Sequence, residues 1–391
     1  MDRPQNAPPA SYDAPYAGLR VVDLSQGIAG PYAAMLLAAH GADVVKVEPP
    51  GGDWARRLGR RYGDQTAFSI AGNLGKRSIV LDLKTREDLA VLRRLAARAD
   101  VFVEGFRPGV AVRLGVGYEE ISASNPRVVY LSVSGFGQWG VERDRPAMDP
   151  VLQAFTGLMW ANRGADGVPQ RVRNIVVDMS TALYAFQALS AALYARRDLP
   201  WGCHIDTSLM RSAAALQCVH VMASYLEGGT MRPGFTPSGN FATADGWMCL
   251  VIQSDAEFQT LCDVLELPDV RQDPRFTTDE SRFAHVAALT ERLDAGFARR
   301  GNVEWSARLR EARLMHQPVQ DYLEFLKHPH VEATGAVAWL QQPGVGQVPV
   351  PRAPGLAPFV DGSPRATAPS LDQHRAEILA QLANSQGDPD S

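Results

Sequence analysis

At 391 residues the chain exceeds one ordinary hydrophobic core, so two domains are expected. Hydrophobic residues make up 46% and charged residues 21%, a globular balance, and the formal net charge of -4 argues against a general nucleic-acid binder. The four cysteines, Cys203, Cys218, Cys249 and Cys262, stand far apart without a CxxC pair, so neither a zinc site nor a disulfide framework is signalled, and a reducing, cytoplasmic setting fits.

The opening "MDRPQNAPPASYDAP" has no apolar core of a signal peptide and reads, over 1–16, as a disordered lead-in. Strands and helices then alternate. "LRVVDL" (19–24) predicts a strand and "PYAAMLLAAHG" (31–41) a helix stopped by Gly41. Strands follow at "DVVKVE" (43–48) and "SIVLDL" (78–83), then a helix over 86–98. "DVFVEGF" (100–106) and "RVVYLSVSGF" (127–136) predict two more strands. These runs are continuously apolar, as parallel strands covered on both faces should be. The expected fold is a Rossmann-like, doubly wound α/β domain.

Residues 175–177 read as a short strand handing over, at Asp178, to a long helix with apolar residues at Met179, Leu183, Phe186, Leu189 and Leu193. "CHIDTSL" (203–209) predicts a strand and 210–226 a helix. A Gly/Pro-rich stretch then marks a boundary. The expected organisation is a large α/β domain over 17–226, a linker and small α+β domain over 227–330, a return through 331–384 to the large domain, and a disordered tail at 385–391. The Pro-rich segment 341–359 reads as extended and 371–383 as a last helix. No run reads as long and apolar enough to span a bilayer.

Gly27, Gly30 and Pro31 form a turn before a helix, a place where backbone N–H groups hold anions or simply close a βα connection. It is not a GxGxxG fingerprint, and no P-loop or GxSxG elbow occurs. Lys76, Arg77, Lys84, Arg107 and Arg113 lie near strand ends, where arginines suit a phosphate-bearing ligand, although solvated surface charge is the commoner fate. The histidines show no metal-ligand spacing. Asp178 reads two ways: an N-cap accepting from Ser180 or Thr181, or a nucleophilic carboxylate kept ionised by the helix terminus.

Taken together, "GLRVVDLSQGIAGPYAAMLLAAHGADVVKVEPPGGD", "NLGKRSIVLDLKT", "ADVFVEGFRPGVAVRLGVGYEEI", "IVVDMSTALYAFQALSAALYAR" and "FATADGW" resemble the class III coenzyme A transferases, the CaiB/BaiF family. The resemblance implies Asp178 as nucleophile and a coenzyme A site at Ala29, Leu81, Lys84, Gly105, Phe106, Arg107 and Arg113. It implies acyl-CoA and a carboxylic acid as substrates, no metal or nucleotide cofactor, no nucleic acid or membrane, and an interlocked homodimer. Helix N–H groups near Asp178 would stabilise the oxyanions. The same family holds α-methylacyl-CoA racemases, whose "GHD" motif reads "AMD" here, with Met148 in place of the His. A thioether cannot act as a base, which favours transfer. A CoA-binding protein without turnover is the other alternative. The glycine-rich loop of formyl-CoA transferases is absent, so formate–oxalate exchange is not expected.

Overall fold

The computed structural model describes residues 14–164, 166–229, 232 and 234–384. Most of the expected lead-in and the whole tail lie outside the described residues. Tyr16, at the end of that lead-in, is tied down: its hydroxyl donates to Ser190 at 2.9 Å and its ring packs edge-on against Phe186.

The chain divides into two compact units. One comprises the chain up to Cys218 together with the chain from Thr334 on, and the other is Val219–Ala333. In the first, β1 (Arg20–Leu24), α1 (Ala29–Ala39), β2 (Asp43–Glu48), α2 (Ala67–Asn73), β3 (Arg77–Val80), α3 (Arg86–Ala96) and β4 (Val101–Glu104) alternate. Then come α4 (Val110–Arg113), α5 (Tyr118–Ser124), β5 (Val129–Ser134), α6 (Asp149–Phe155), α7 (Leu158–Ala161), α8 (Val176–Ala195), β6 (Cys203–Ser208) and α9 (Leu209–Leu216). All six strands pair parallel in the order β3-β2-β1-β4-β5-β6. Every residue of β4 and β5 is buried, which fits their mostly apolar sequences. Val21, Val101 and Val129 pack with α1 and α8 on one face. Val22, Phe102 and Tyr130 pack with α3 and the C-terminal helix Arg375–Asn384 on the other.

The chain runs outward from β1 to β3 and then returns to β4, on the other side of β1. Ligands of such sheets bind beyond the strand ends where this reversal occurs. Leu24 and Glu104 are register partners there, so the turn after β1 and the loop after β4 are neighbours.

A buried ion network sits beneath that turn. Asp23, Lys46, Glu48, Asp53, Arg56 and Lys76 are all at most 4% exposed, and their formal charges balance, three against three. Lys46 lies 3.1 Å from Asp53 and 3.7 Å from Asp23, and its ammonium donates to the Ser25 carbonyl. Lys76 donates to Asp23 at 2.6 Å and to the Pro31 carbonyl at 2.8 Å. Arg56 grips Glu48 through two bonds of 2.6 and 2.8 Å. Burial pulls the Lys76 ammonium down to about 8, against the pull of Asp23. Asp53 also accepts from the Gly27 amide at 2.9 Å, fixing the turn.

Four expectations are corrected by the fold. Residues 175–177 are not a strand: α8 begins at Val176. The helix expected over 210–226 is interrupted at Gln217 and resumes as Cys218–Leu226. The segment 341–359 is not simply extended, because Val337–Gln342 and Gly346–Pro351 form an antiparallel hairpin with Leu340 buried. Finally, α8 and its continuation, Val176–Asp198, have the length and apolarity of a membrane span. Here α8 packs against α1, α6 and α9 within the unit.

In the second unit Ser238–Ala242, Trp247–Val251 and Met315–Pro318 form a three-stranded antiparallel sheet. Its helices bury Phe258, Phe297 and Trp305, and the Trp305 indole N–H donates to the Phe297 carbonyl at 2.8 Å.

Lys46→Met should destabilise the protein by about 3–5 kcal/mol, because Asp23 and Asp53 then lose a buried counter-charge. Chemical denaturation measures this, and a loss below about 1 kcal/mol would mean the network is not a structural keystone.

Candidate active site

A cleft of about 480 Å³ opens at the sheet reversal. Gln26, Ile28, Ala29 and Gly30 line it from the turn after β1, and Gly105 and Arg107 from the loop after β4. Val133, Ser134 and Gly135 come from the end of β5, Ala147 and Met148 from the start of α6, and Asp178 from the first turn of α8. Trp54 and Leu209 complete the lining. A larger apolar cavity, about 630 Å³, lies between α1, α2 and the hairpin; Met179 lines it, while Asp178 does not.

The turn after β1 has its shape for a steric reason. Gly27 has φ +82°, and a Cβ there would lie 2.2 Å from the Trp54 ring. The indole therefore packs directly on the glycine backbone. Asp53 secures both partners: it binds the Gly27 amide and caps the short 3-10 helix Trp54–Arg57 through Ala55. No side chain caps the start of α1, so the turn leads into a helix N-terminus on the cleft wall.

Asp178 is the third residue of α8, not its N-cap. The N-terminus is capped from elsewhere in the chain. Asp149, 3% exposed at the start of α6, accepts from the Val177 amide at 2.7 Å and the Asp178 amide at 3.2 Å through one carboxylate oxygen. Its other oxygen accepts from the Gln153 side chain at 2.6 Å. Gln153 in turn exchanges hydrogen bonds with the backbone of Val172, at 3.0 Å in each direction. Two residues of α6 thus hold the chain entering α8 and set where Asp178 sits.

The same arrangement changes its acidity. Burial, and then the nearby Asp149 charge, push the Asp178 carboxyl up to about 7. The helix terminus was expected to keep it ionised at neutral pH. The first-turn amides of Val177 and Asp178 that would stabilise its charge are instead bound to Asp149. They are equally unable to serve as the oxyanion donors expected near Asp178. The start of α1, which has no side-chain cap, is another helix terminus on the cleft.

Of the residues expected at the site, Ala29, Gly105, Arg107 and Asp178 share the cleft. Leu81, Lys84, Phe106 and Arg113 are not in its lining. Leu81 is 1% exposed in the core, Lys84 and Arg113 are exposed, and Phe106 is half-buried against the α3 side of the sheet. Met148 is 54% exposed and does face the cleft. Sequence reasoning missed Trp54 and the role of Asp149. The "DP" dipeptide that opens α6 was a visible helix-start signal, but its bond to a helix 28 residues later was not.

Residues 16–375 match the family model described as CoA-transferase family III. The chain is 34% identical to an acetyl-CoA:oxalate CoA-transferase of Acetobacter aceti over 384 residues, covering 96% of this chain and 97% of that protein. It is 31% identical to a succinate–glutarate CoA-transferase of Agrobacterium fabrum over 395 residues, with 97% of each covered. Among solved structures it superposes on a CaiB/BaiF family protein from Brucella suis with a TM-score of 0.84 and 31% identity, over 95% of this chain and 100% of that one.

The titration of Asp178 is directly measurable. In infrared difference spectra against Asp178→Asn, its carboxyl band should disappear with a midpoint near pH 7. Asp149→Asn should move that midpoint to lower pH by removing the neighbouring charge. Because the folded value is raised, ionisation of Asp178 opposes folding: its contribution is fully present below the unfolded carboxylate range and is lost as pH rises through 7. A midpoint below 5 in the native protein would contradict this environment.

Proposed function

The chain belongs to CoA-transferase family III and is an enzyme of that class, and from this premise we propose that it moves coenzyme A from an acyl-CoA to a free carboxylic acid through Asp178. The observation that carries the reading is the half-buried carboxyl of Asp178, whose backbone amide Asp149 holds, in a cleft with Arg107 and an uncapped helix start.

In this reading the Asp178 carboxylate attacks the thioester carbonyl. The C–S bond breaks, leaving a mixed anhydride and CoA thiolate. The thiolate then attacks the Asp178 carbonyl carbon, giving an aspartyl-CoA thioester and releasing the donor acid. The acceptor carboxylate attacks that thioester, forms a second anhydride and expels the thiolate. The thiolate finally takes the acceptor acyl group, and Asp178 is regenerated. Thioester energy is conserved in covalent bonds throughout. The α1 amides at Ala29 and Gly30 are placed to stabilise developing oxyanions, and Arg107 to meet a phosphate. Lys84, Phe106 and Arg113 extend the coenzyme site beyond the cleft, with Leu81 contributing backbone only. Met148 occupies the position of the second base of a racemase, which supports transfer over racemisation. The relatives' names support small carboxylic acids, with a succinyl- or acetyl-type donor, as the substrates to screen first.

Asp178→Ala should lower transfer by roughly a thousandfold or more. It should leave the fold intact, because the cap on α8 belongs to Asp149. In the wild type, hydroxylamine added after acyl-CoA should modify Asp178. Near wild-type exchange in the Ala variant would defeat the mechanism.

We also propose a cytoplasmic homodimer, interlocked as the resemblance implies, built on a Rossmann-like large domain. Helix Cys218–Leu226 supports an interface: it has no buried residue, and Val219, Tyr225 and Leu226 are 69%, 87% and 80% exposed. An interlocked pair cannot separate without opening a chain. Sedimentation at nanomolar concentration should therefore still show a dimer, and an active monomer would refute the assembly.

A further inference from the structure

Glu104 is a buried carboxyl that the chemistry above leaves unused. It ends β4 and is 3% exposed. Phe102 and Glu104 share the sheet face opposite the one that carries α8, so Glu104 does not reach the reacting atoms. What it touches is the loop that does line the cleft. Its Oε2 accepts from the Phe106 amide at 2.8 Å, between the cleft residues Gly105 and Arg107. Gly105 itself lies against the turn after β1, where a Cβ would stand 3.2 Å from the Ser25 Cβ.

The carboxyl is held from behind across neighbouring strands. Ser132, its register partner on β5, stands beside it and favours its charged form. The Ser132 hydroxyl is also 2.9 Å from His204 Nε2 on β6, and the His204 ring stacks on Tyr118 at 5.1 Å. If the serine hydroxyl donates to Glu104, His204 carries its proton on Nε2 and donates to the serine. These contacts run from β6 through β5 and β4 to a single loop amide. A carboxyl fixed in this way restricts the direction of the Phe106 N–H, and hence the path of the backbone on either side of it.

We propose that Glu104 is a positioning residue for the coenzyme: through the Phe106 amide it fixes the loop that presents Gly105 and Arg107 to the cleft. The proposal rests on the cleft being the coenzyme site, and the test separates the two. Glu104→Met removes the acceptor while retaining volume, with Glu104→Ala as the second choice if the Met variant does not fold. Glu104→Gln keeps an oxygen for the Phe106 N–H. In the ligand-free protein, amide exchange at Phe106 should accelerate tenfold or more in the Met variant and stay near wild type in the Gln variant. The CoA dissociation constant should rise about tenfold in the Met variant, with kcat within about threefold of wild type. Combined with Arg107→Ala, Glu104→Met should add little further loss of affinity, because both act on one contact. Unchanged Phe106 exchange in the Met variant, equal losses in the Met and Gln variants, or full additivity with Arg107→Ala would each overturn the proposal. A wild type that binds no CoA would defeat the reading of the cleft, while Phe106 exchange would still decide the role of Glu104.

Discussion

The two hydrogen bonds from the amides of Val177 and Asp178 to Asp149 are the contact on which the site depends. A helix entering a cleft needs partners for its first amides, and Ile175, at its N-cap position, has no side-chain oxygen to offer. Asp149 supplies one from α6, and α6 is itself tied to the incoming chain through Gln153. The cost is electrostatic. Burial, and then a second carboxylate beside Asp178, make its ionisation harder. A carboxyl poised near neutrality is at once a fair nucleophile and a fair leaving group, and a reversible anhydride needs both.

The rest of the large unit holds that contact in register with the coenzyme side of the cleft. The parallel sheet brings the ends of β1 and β4 together, and the six-residue ion network under β1 keeps the first turn from moving. Such networks seldom add net stability over well-packed apolar groups. This one fixes geometry instead. Lys46 binds a turn carbonyl, Asp53 binds a turn amide, and Trp54 closes on Gly27. The cleft is therefore rigid on two sides for reasons that lie outside it.

Much of this was legible in the chain. The apolar runs of β1 and β4 announced a parallel sheet, and Asp178 stood out as a carboxylate before a long helix. The local reading of that carboxylate was wrong for a physical reason. Ile175, Val176 and Val177 are β-branched and favour strands, so a strand and an N-cap at Asp178 seemed consistent. The tertiary cap from Asp149 overrides that preference and starts the helix three residues earlier. Likewise Lys46, Glu48 and Asp53 look like ordinary surface charges, and only the fold shows them buried together. The segment 341–359 misled because prolines suggested a linker, whereas Pro349 and Pro351 are accommodated in a two-stranded hairpin that has open edges.

The covalent passage through Asp178 is the step that everything else serves. An acceptor acid labelled with oxygen-18 in its carboxylate should leave label in that residue, because the oxygen bridging the second anhydride stays with Asp178 when the thiolate takes the acyl group. Mass spectrometry of the peptide containing Asp178, after turnover with unlabelled acyl-CoA, should therefore show incorporation that grows with the number of turnovers. Efficient CoA transfer with no label in that peptide would contradict the mechanism outright.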